Sequence, residues 1–254
     1  MGMDLVRHYG INRQGADWVV GDIHGCFTTL ELMLEEIGFD AAADRLFSVG
    51  DLADRGPESE RALDYLDKPW FHAVRGNHEQ LLLDAVDDYD TQLVWLINGG
   101  GWFDRESERV QAAFVEAFSV LPHLIEVETN GGTVGIVHAD VPMGLSWSEI
   151  LTRVRNSDQQ VLDTLLWSRN RALARDTPLV EGISHIFCGH TPVRPGVRVV
   201  GNVHLIDQGA VFGLRHGMPN SGLSIVSIDG KRVRTRVPVW PRERRSAMES
   251  GGDG

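Results

Sequence analysis

The stretch DWVVGDIHGCFTTLELMLEEIG, residues 17–38, joins a short apolar run, a polar loop and an amphipathic segment. The apolar run from Trp18 to Val20 predicts a buried strand that ends at the following glycine. The amphipathic segment predicts a helix, because its apolar residues recur at helical spacing. Thr28 and Glu31 have the spacing of a capping box, and Gly38 is a typical helix end. This stretch therefore predicts one strand–loop–helix unit.

The same order of elements occurs twice more along the chain. RLFSVGD (residues 45–51) predicts a second strand, and RGPESERALDYL (55–66) predicts a helix with Pro57 near its first turn. FHAVRGN (71–77) and EQLLLDAV (79–86) predict a third strand and a third helix. Three such units in a row predict an α/β fold with a parallel sheet and right-handed crossovers.

The remaining chain has helical and then mostly strand-like segments. We predict helices from Tyr89 to Ser119, interrupted at NGGGWF, then a hairpin of LIEVE and TVGIV, and a helix from Val161 to Ala174. Strands are predicted at HIFCGH, VRVV, HLID, LSIVSI and RVRTRVPV. The tail from Pro241 to Gly254 contains little to bury, so we expect it to be disordered. We therefore predict one domain over residues 1–240 and a disordered tail over 241–254.

Composition restricts the class of protein. The chain has 254 residues, of which 42% are hydrophobic, enough for one large core. No apolar run approaches the ~20 residues of a membrane helix, and MGMDLVRHYG lacks the apolar core of a signal peptide. We therefore expect a cytoplasmic protein without a membrane partner, with Cys26 and Cys188 as free thiols. The net charge of −12 argues against nucleic-acid binding. A phosphorylated substrate would need converging local cations.

Acidic, amide, imidazole and guanidinium side chains recur where the predicted strands end. In chain order, the five motifs are GDIHG (21–25), GDLADRGP (50–57), RGNHE (75–79), VHAD (137–140) and CGHTP (188–192). The carboxyl ends of strands in an open α/β sheet line one crevice, so distant residues can converge there. Each motif alone is weak, since GDxHG fits a turn with a core histidine and GNHE fits a helix cap. All five motifs in this order, each after a predicted strand, are not explained by coincidence and indicate a functional site.

The residue types in these motifs are ligands for divalent metal ions. Asp, His and Asn, without thiolates, suit Mn²⁺, Fe²⁺, Zn²⁺ or Mg²⁺. Six candidate ligands are too many for one ion that keeps open positions, and they suit two ions that share a carboxylate, typically ~3.5–4 Å apart. The glycines that flank the candidates are expected where the backbone turns sharply or approaches closely.

The ordered motifs resemble the metallophosphoesterase signature in its phosphoprotein phosphatase form. The resemblance extends from about Val19 to Phe212 and includes NGGGWF, LLWSR and DQGAVF. It implies a four-layer sandwich, in which two mixed β-sheets are flanked by helices and metals lie at the sheet edges. It also implies a single catalytic domain that hydrolyses phosphoric monoesters, as a serine/threonine or dual-specificity protein phosphatase.

The resemblance implies a role for each matching position. The implied metal ligands are Asp22 and His24 for the first ion, Asp51 as the bridge, and Asn77, His138 and His190 for the second ion. The residues implied to act on the substrate are His78 as general acid, Asp54 as its orienting partner, and Arg55, Arg75 and Arg169 as phosphate ligands. The implied cofactor is two divalent ions, with Mn²⁺ preferred over Fe, Zn, Ni or Mg. The implied partners are phosphorylated proteins or peptides, and small phosphoesters are an alternative.

Two other functions stay open at this point. One is hydrolysis of diadenosine tetraphosphate or of another small phosphoester, by a related family that shares GDIHG and GDL…RGP. Members of that family usually lack the Asp before the Arg of the second motif and have GNHD without the preceding Arg, so Asp54, Arg75 and Glu79 favour the phosphoprotein form. The other is a metal-binding scaffold without turnover. Trp102 and Phe103 are expected to be core residues rather than a substrate platform.

Overall fold

The computed structural model describes residues 4–216 and 218–239. The strands within these ranges are β1 (Val6–Tyr9), β2 (Asp17–Val20), β3 (Arg45–Ser48), β4 (Phe71–Ala73), β5 (Leu124–Thr129), β6 (Gly132–Val137), β7 (His185–Cys188), β8 (Arg198–Val200), β9 (Val203–Leu205), β10 (Leu223–Ser227) and β11 (Val233–Arg236). The α-helices are α1 (Phe27–Ile37), α2 (Ala62–Leu66), α3 (Asn77–Ala85), α4 (Tyr89–Ile97), α5 (Glu108–Ser119), α6 (Trp147–Arg155), α7 (Gln159–Trp167), α8 (Asn170–Leu173) and α9 (Ala210–His216). Short 3₁₀ helices span Ser59–Arg61 and Gly100–Arg105.

The first sheet contains the three strands of the repeated units. Its order is β11-β10-β2-β3-β4, and β2, β3 and β4 are parallel neighbours, which confirms the predicted parallel arrangement. β10 pairs antiparallel with both β2 and β11, so the sheet as a whole is mixed. Asp17 opens β2 and the GDIHG loop follows it, so the motifs lie at the carboxyl ends of the parallel strands.

The second sheet is also mixed, with the order β1-β5-β6-β7-β9-β8. The hairpin of β5 and β6 is antiparallel, as predicted, and β7 is parallel to both β6 and β9. Val6 to Tyr9 form an additional edge strand, parallel to β5, that sequence periodicity did not predict. Two mixed sheets flanked by helices confirm the α/β fold class that the resemblance implied.

Side chains alternate between the two faces of each sheet and build three cores. On β2, Val19 points into the core between the sheets, where it joins Phe47, Ile136 and Phe187. Trp18 and Val20 belong to the core that packs against the helices on the other face. A third core covers the outer face of the second sheet and includes α6 and α7. Each fully buried Phe or Val contributes about 1.5–3 kcal/mol relative to exposure, so this alternation stabilises the four layers.

The start of α1 differs from the prediction, because its cap comes from a later part of the chain. Thr28 does not form a capping box with Glu31. The Glu58 carboxylate instead accepts from Thr28 N at 2.7 Å and from Thr28 Oγ1 at 2.6 Å. A negative charge is favourable at a helix N-terminus, and Glu31 pairs with Arg61. The predicted end is confirmed, since Gly38 has a left-handed backbone with φ of 68°.

Other boundaries were also predicted incorrectly. RGPESERALDYL forms only the 3₁₀ helix Ser59–Arg61 and the short α2, and Pro57 lies before both. The predicted helix from Val161 to Ala174 is divided into α7 and α8. Helices α6 and α9 were not predicted, although Ser146 and Glu149 form a capping box that opens α6.

Within the described ranges, every helix is too short or too polar to cross a bilayer. The cytoplasmic location stays a prediction. Cys26 and Cys188 are buried free thiols, as predicted. The tail that was expected to be disordered lies outside the described residues, and the division into one domain and a tail also stays a prediction.

Candidate functional site

The loops that follow β2, β3, β4, β6 and β7 meet at one edge of the two sheets. In the first sheet, His24 N donates to Asp51 O at 2.8 Å and joins the loops after β2 and β3. In the second sheet, the loop after β7 donates a backbone N–H to the loop after β6 at 2.7 Å. The Asp22 carboxylate joins the two sheets, because its oxygens accept from His190 N at 3.1 and 3.0 Å. The five motifs therefore converge in space.

Asp51 lies at the centre of the converging side chains. Its Oδ2 is 3.4 Å from His24 Nε2 and 4.0 Å from His78 Nε2, and its Oδ1 is 3.5 Å from His138 Nε2. Asp51 forms one group of potential ligands with His24 and His78, and a second group with His138 and His190. Within each group the potential ligand atoms lie within 4.8 Å of one another. A carboxylate common to both groups suits a pair of cations.

Backbone carbonyls determine which ring nitrogen carries the proton in two of these histidines. His24 Nδ1 donates to Ala53 O at 2.9 Å, and His138 Nδ1 donates to Val49 O at 2.8 Å, because a carbonyl can only accept. Burial lowers the pKa of both imidazoles and favours the neutral form. Nε2 of each ring therefore carries a lone pair beside Asp51, and that of His24 accepts from Arg55 Nη1 at 2.8 Å. An imidazole with an unprotonated Nε2 is the form that binds a metal.

Asn77 adds an amide oxygen to this set of acceptors. Asn77 Oδ1 lies 2.8 Å from His138 Nε2 and 2.9 Å from His190 Nδ1. Because His138 Nε2 is unprotonated, this contact brings two acceptors together and needs a cation to be favourable. Burial, and then the neighbouring His138, lower the pKa of His190 to about 3. Imidazole nitrogens with carboxylate and amide oxygens, without thiolates, fit a divalent ion of borderline or hard character.

Asp22 lies beside two further carboxyl groups. Burial first, and then the charges of Asp207 and Asp51, raise the pKa of Asp22 well above its usual value. Burial also raises the pKa of Asp207, in DQGAVF, to about 6. Three buried carboxyl groups need positive charge nearby. The five motifs do not include Asp207. Its position directly after the strand-like run HLI could have indicated that it lies at the same sheet edge.

Asp54 and His78 form a buried pair next to Asp51. His78 Nδ1 donates to Asp54 Oδ2 at 2.7 Å. Burial alone would lower the pKa of His78, but the charge of Asp51 and the hydrogen bond and charge of Asp54 raise it above its usual value. Because Nδ1 is engaged, Nε2 is the ring nitrogen that faces the potential metal ligands.

Two tryptophans hold the Asp54 carboxylate in place. Trp95 Nε1, in α4, donates to Oδ2 at 2.7 Å, and Trp102 Nε1 donates to Oδ1 at 2.6 Å. Gly100 of NGGGWF lets the chain pass the Trp95 ring, since a Cβ there would lie 2.4 Å from a ring atom. Trp102 is buried, as expected for a core residue, but its indole N–H also binds a site residue. Sequence periodicity gives no signal for this second role.

Glu79 supports the loop that carries Asp51. The Glu79 carboxylate accepts from Asp51 N, Leu52 N and Gly76 N, at 2.9, 2.8 and 2.8 Å. Burial, and then the charge of Asp51, raise the pKa of Glu79 to about 7. His78 N also donates to Asp51 Oδ1 at 3.0 Å. The helix α3 is therefore bonded to the Asp51 loop from its first turn.

Two of the three predicted phosphate ligands line a cavity at the site. Its volume is about 110 Å³, and its walls include Asp51, His78, Arg55 and Arg169. Arg75 is buried, and its guanidinium donates to Gln80 Oε1 at 2.9 Å and to Ser119 O at 2.7 Å. Arg75 is not among the residues that line this cavity. A larger cavity, of about 390 Å³, lies at the opposite ends of the strands and contains none of the five motifs.

Asp140 of VHAD connects the loop of His138 to the segment that carries Arg169. Asp140 Oδ2 accepts from Ser168 Oγ at 3.3 Å and from Arg171 N at 3.0 Å, and its Oδ1 accepts from Arg171 Nε at 3.0 Å. The Arg171 side chain is buried, and it also donates to Thr177 Oγ1. The residues on both sides of Arg169 are thus held by one carboxylate.

Several site residues have a left-handed backbone, which is unfavourable for residues other than glycine. Non-glycine residues with positive φ in the described ranges include His24, Asp51, Asp54, Arg55 and His190, with φ of 43°, 52°, 69°, 66° and 66°. Gly189 precedes the last of these, and a Cβ there would lie 1.9 Å from Asp22 Oδ1. Strained backbone of this kind concentrates at functional sites.

Comparisons with known proteins agree with this geometry. Residues 18–217 match the profile of the family described as calcineurin-like phosphoesterase. Serine/threonine-protein phosphatase 1 of Salmonella typhimurium is 44% identical over 201 residues, which cover 77% of this chain and 87% of that protein. The fold and the site therefore define a phosphoester hydrolase. The chain belongs to the calcineurin-like phosphoesterase family, which confirms the resemblance noted in the motifs.

Tetraphosphatases also show similarity to this chain. The symmetrical bis(5'-nucleosyl)-tetraphosphatase of Pseudomonas putida is 47% identical over 72 residues, which are 28% of this chain and 25% of that protein. A crystal structure assigned provisionally to a diadenosine tetraphosphatase superposes with a TM-score of 0.65 at 23% identity, covering 93% of this chain and 99% of that one. At this identity the superposition shows the fold alone.

Proposed function

We propose that the protein hydrolyses phosphate monoesters on serine and threonine side chains of other proteins, with dual specificity as a variant of the same activity. The observation that carries the proposal is the buried Asp54–His78 pair, joined at 2.7 Å beside the shared carboxylate. A serine alkoxide is a poor leaving group and needs a proton, which a positioned acid supplies with a typical gain of ~10²–10⁴-fold. Hydrolysis of a phosphoanhydride releases a more stable anion and needs this acid less.

The residues present fit two divalent ions. Asp22 and His24 would hold the first ion, Asp51 would bridge, and Asn77, His138 and His190 would hold the second. When bound, such a pair supplies hydroxide near neutral pH and neutralises charge on the phosphate. Mn²⁺ is the first ion to test, because it is the ion that the family resemblance implies first.

His78 holds the proton for the leaving group at Nε2. Its Nδ1–H donates to Asp54, so the ring orientation is fixed and Nε2 is left to protonate an ester bound in the cavity that His78 lines. Asp54 stays an acceptor because two indole N–H groups and the imidazole all donate to it. An ionised Asp54 favours the charged imidazolium, which is the form that can give up a proton.

Arg55 and Arg169 bind the phosphate oxygens. Both line the cavity beside Asp51 and His78, and a guanidinium can bind two oxygens of a phosphate at once. Their positive charge attracts phosphate locally, in a protein whose net charge of −12 would otherwise repel a phosphorylated substrate. The role predicted for Arg75 lacks this support, since Arg75 is not among the residues that line the cavity.

Hydrolysis of diadenosine tetraphosphate is the second candidate function. It is favoured by the similarity to tetraphosphatases over 72 residues. The similarity to the Salmonella phosphatase covers 201 residues, and this difference in extent supports the protein phosphatase.

The test compares a phosphoserine peptide with diadenosine tetraphosphate, using protein loaded with Mn²⁺. We expect preferential hydrolysis of the peptide. His78→Asn should reduce turnover of an alkyl phosphate by about 10²-fold or more and should affect an aryl phosphate less, because its leaving group needs less protonation. His8→Asn, at a histidine of β1 outside the motifs, is the matched control. Preference for the dinucleotide would replace the proposal with a phosphoanhydride hydrolase, and metal binding without turnover would indicate a scaffold.

A further inference from the structure

Helix α4 has an apolar face that points to solvent. Among large apolar side chains in the described ranges, Ile97 is 87% exposed and Tyr89 is 69% exposed, and Val86, Leu93 and Val94 are also exposed. Four of these residues lie within the nine positions of α4 and form a patch, whereas scattered single residues need no explanation. Trp95 faces the opposite side and is buried against the site. We name the patch formed by Tyr89, Leu93, Val94 and Ile97 the α4 face.

The α4 face continues into the wall of the catalytic cavity. Val94 lines the cavity together with Leu81 and Asn98. The end of α4 is bonded to the phosphate-binding segment, because Arg55 Nε donates to Asn98 O at 3.3 Å and Arg55 N donates to Gly99 O at 3.4 Å. A chain that enters the cavity with a phosphorylated residue would therefore pass over this face.

The charge around the α4 face is opposite to the charge in the cavity. Four exposed aspartates, Asp84, Asp87, Asp88 and Asp90, lie in the segment from the end of α3 to the first turn of α4, and the sequence from Asp84 to Ile97 contains no Lys or Arg. The cavity presents the guanidinium groups of two arginines. Complementary charge of this kind selects partners and orients them. A ligand that fits both regions carries a phosphate next to apolar and basic side chains.

The α4 face is also held in a fixed position. The Asp88 carboxylate caps α4 by accepting from Thr91 N at 3.0 Å, and the Trp95 indole donates to the buried Asp54. From Tyr89 to Ile97 the helix rises about 12 Å at ~1.5 Å per residue, which equals about four residues of an extended peptide at ~3.3 Å each. A preorganised surface binds with a smaller loss of conformational freedom.

We propose that the α4 face is a docking surface for the substrate, and that it selects phosphoprotein segments in which apolar and basic residues flank the phosphorylated residue. This inference rests on the proposed function and specifies its substrate class. The occupant is a flexible segment of another protein, since only a thin chain can extend from the cavity along one helix. A second copy of this chain fits less well, because the same four aspartates would face each other.

The experiment measures two phosphoserine peptides of equal length, one with Leu, Ile and Arg beside the phosphoserine and one with Ser, Asn and Glu. We expect kcat/KM to favour the apolar, basic peptide by about tenfold or more, equivalent to burying one or two apolar side chains. The double variant Leu93→Asn, Ile97→Asn should reduce this ratio about tenfold. Val199→Asn changes an exposed apolar residue on β8 and is the matched control that should leave the ratio unchanged.

Charge is tested separately from apolar contact. The double variant Asp87→Asn, Asp90→Asn should lower the preference for the basic peptide and make it less sensitive to salt, because exposed charges are screened. Fluorescence anisotropy of the dephosphorylated peptides measures docking without turnover. If the proposed function were wrong, the peptides would bind without being hydrolysed. The difference in affinity between the two peptides would still be measurable.

Two outcomes would overturn the inference. Equal kcat/KM and equal affinity for the two peptides, unchanged in the Leu93→Asn, Ile97→Asn protein, would show that the α4 face does not select the substrate. A dimer of the wild-type chain that this double variant converts to monomer, with unchanged peptide selection, would assign the α4 face to a second copy. Loss of selection in the double variant, with the control unaffected, supports the proposal.

Discussion

Asp140→Asn should strongly destabilise the protein, because Asp140 balances a buried charge. Its carboxylate accepts four hydrogen bonds, from Val141 N, Ser168 Oγ, Arg171 N and Arg171 Nε. Both side chains of the Asp140–Arg171 pair are 2% exposed, so water cannot replace the lost partner. Removing one partner of a buried ion pair typically costs ~3–5 kcal/mol. We therefore expect the free energy of unfolding to fall by about 3 kcal/mol.

The same change should also weaken phosphate binding. Ser168 and Arg171 flank Arg169, so release of their bonds to Asp140 frees the segment that positions the Arg169 guanidinium. We expect KM for a phosphate ester to rise about tenfold, equivalent to ~1.4 kcal/mol, with a smaller change in kcat. If Asp140 acts through Arg169, Asp140→Asn should add little to KM in an Arg169→Ala background.

Urea unfolding and steady-state kinetics measure these two effects. Asp17→Asn is the matched control, since Asp17 binds Arg45 at 2.8 and 2.7 Å at the far end of β2. Its Arg45 partner is 19% exposed, so the loss of stability should be smaller and KM should not change. A stability loss below about 1 kcal/mol, or additive effects of Asp140→Asn and Arg169→Ala on KM, would refute the reasoning.

Three further changes test other parts of the site and fold. Trp102→Phe removes a hydrogen-bond donor to Asp54, the partner of His78. We expect turnover of an alkyl phosphate to fall by about tenfold and turnover of an aryl phosphate to fall less. Equal losses on the two substrates would contradict an effect through His78 as the general acid. Glu79→Gln weakens the hydrogen bonds to the loop of Asp51. We expect the free energy of unfolding in urea to fall by about 1–3 kcal/mol and the metal content after dialysis to fall. Unchanged metal content would show that Glu79 does not support metal binding. Burial lowers the pKa of His123 to about 4 in the folded state, whereas in the unfolded state its pKa is about 6.5. At a pH between these two values, the His123 imidazole is mostly neutral in the folded protein and mostly protonated in the unfolded protein. Stability should therefore fall as the pH drops below 6.5, and His123→Phe should remove ~2 kcal/mol of that fall at pH 5, as measured by urea unfolding at pH 7 and pH 5.

The repeated units of the fold were predictable because local patterns determine them. Apolar runs of three or four residues followed by helical spacing identify β2, β3 and β4 and their parallel arrangement. The edge strand β1 was missed because only Val6 of VRHY is buried and the other three residues are partly or fully exposed, so its apolar pattern is weak. The cap of α1 was predicted incorrectly because Glu58 is 30 residues from Thr28, and local spacing cannot detect such a partner.

The candidate site was predictable to the extent that its residues follow strands in recognisable motifs. The motifs brought together Asp51 and the histidines around it, because strand ends share one edge. They did not reveal Trp95, whose hydrogen bond to Asp54 depends on how α4 packs, or Asp140, whose role depends on a buried arginine 31 residues later. The resemblance implied that Arg75 is a phosphate ligand, and this role stays a prediction; in the fold its guanidinium donates to Gln80 and Ser119.

The left-handed residues at the site have a consequence for how this sequence can change over evolution. Each such backbone costs on the order of 1 kcal/mol, so the five together cost on the order of 5 kcal/mol, comparable with the net stability of a whole domain. Glycine at His24, Asp51 or His190 would relieve part of that cost and would remove the side chain that needs the conformation. Selection for heat resistance alone would therefore favour inactive chains, and a lineage that keeps these residues is under selection for turnover.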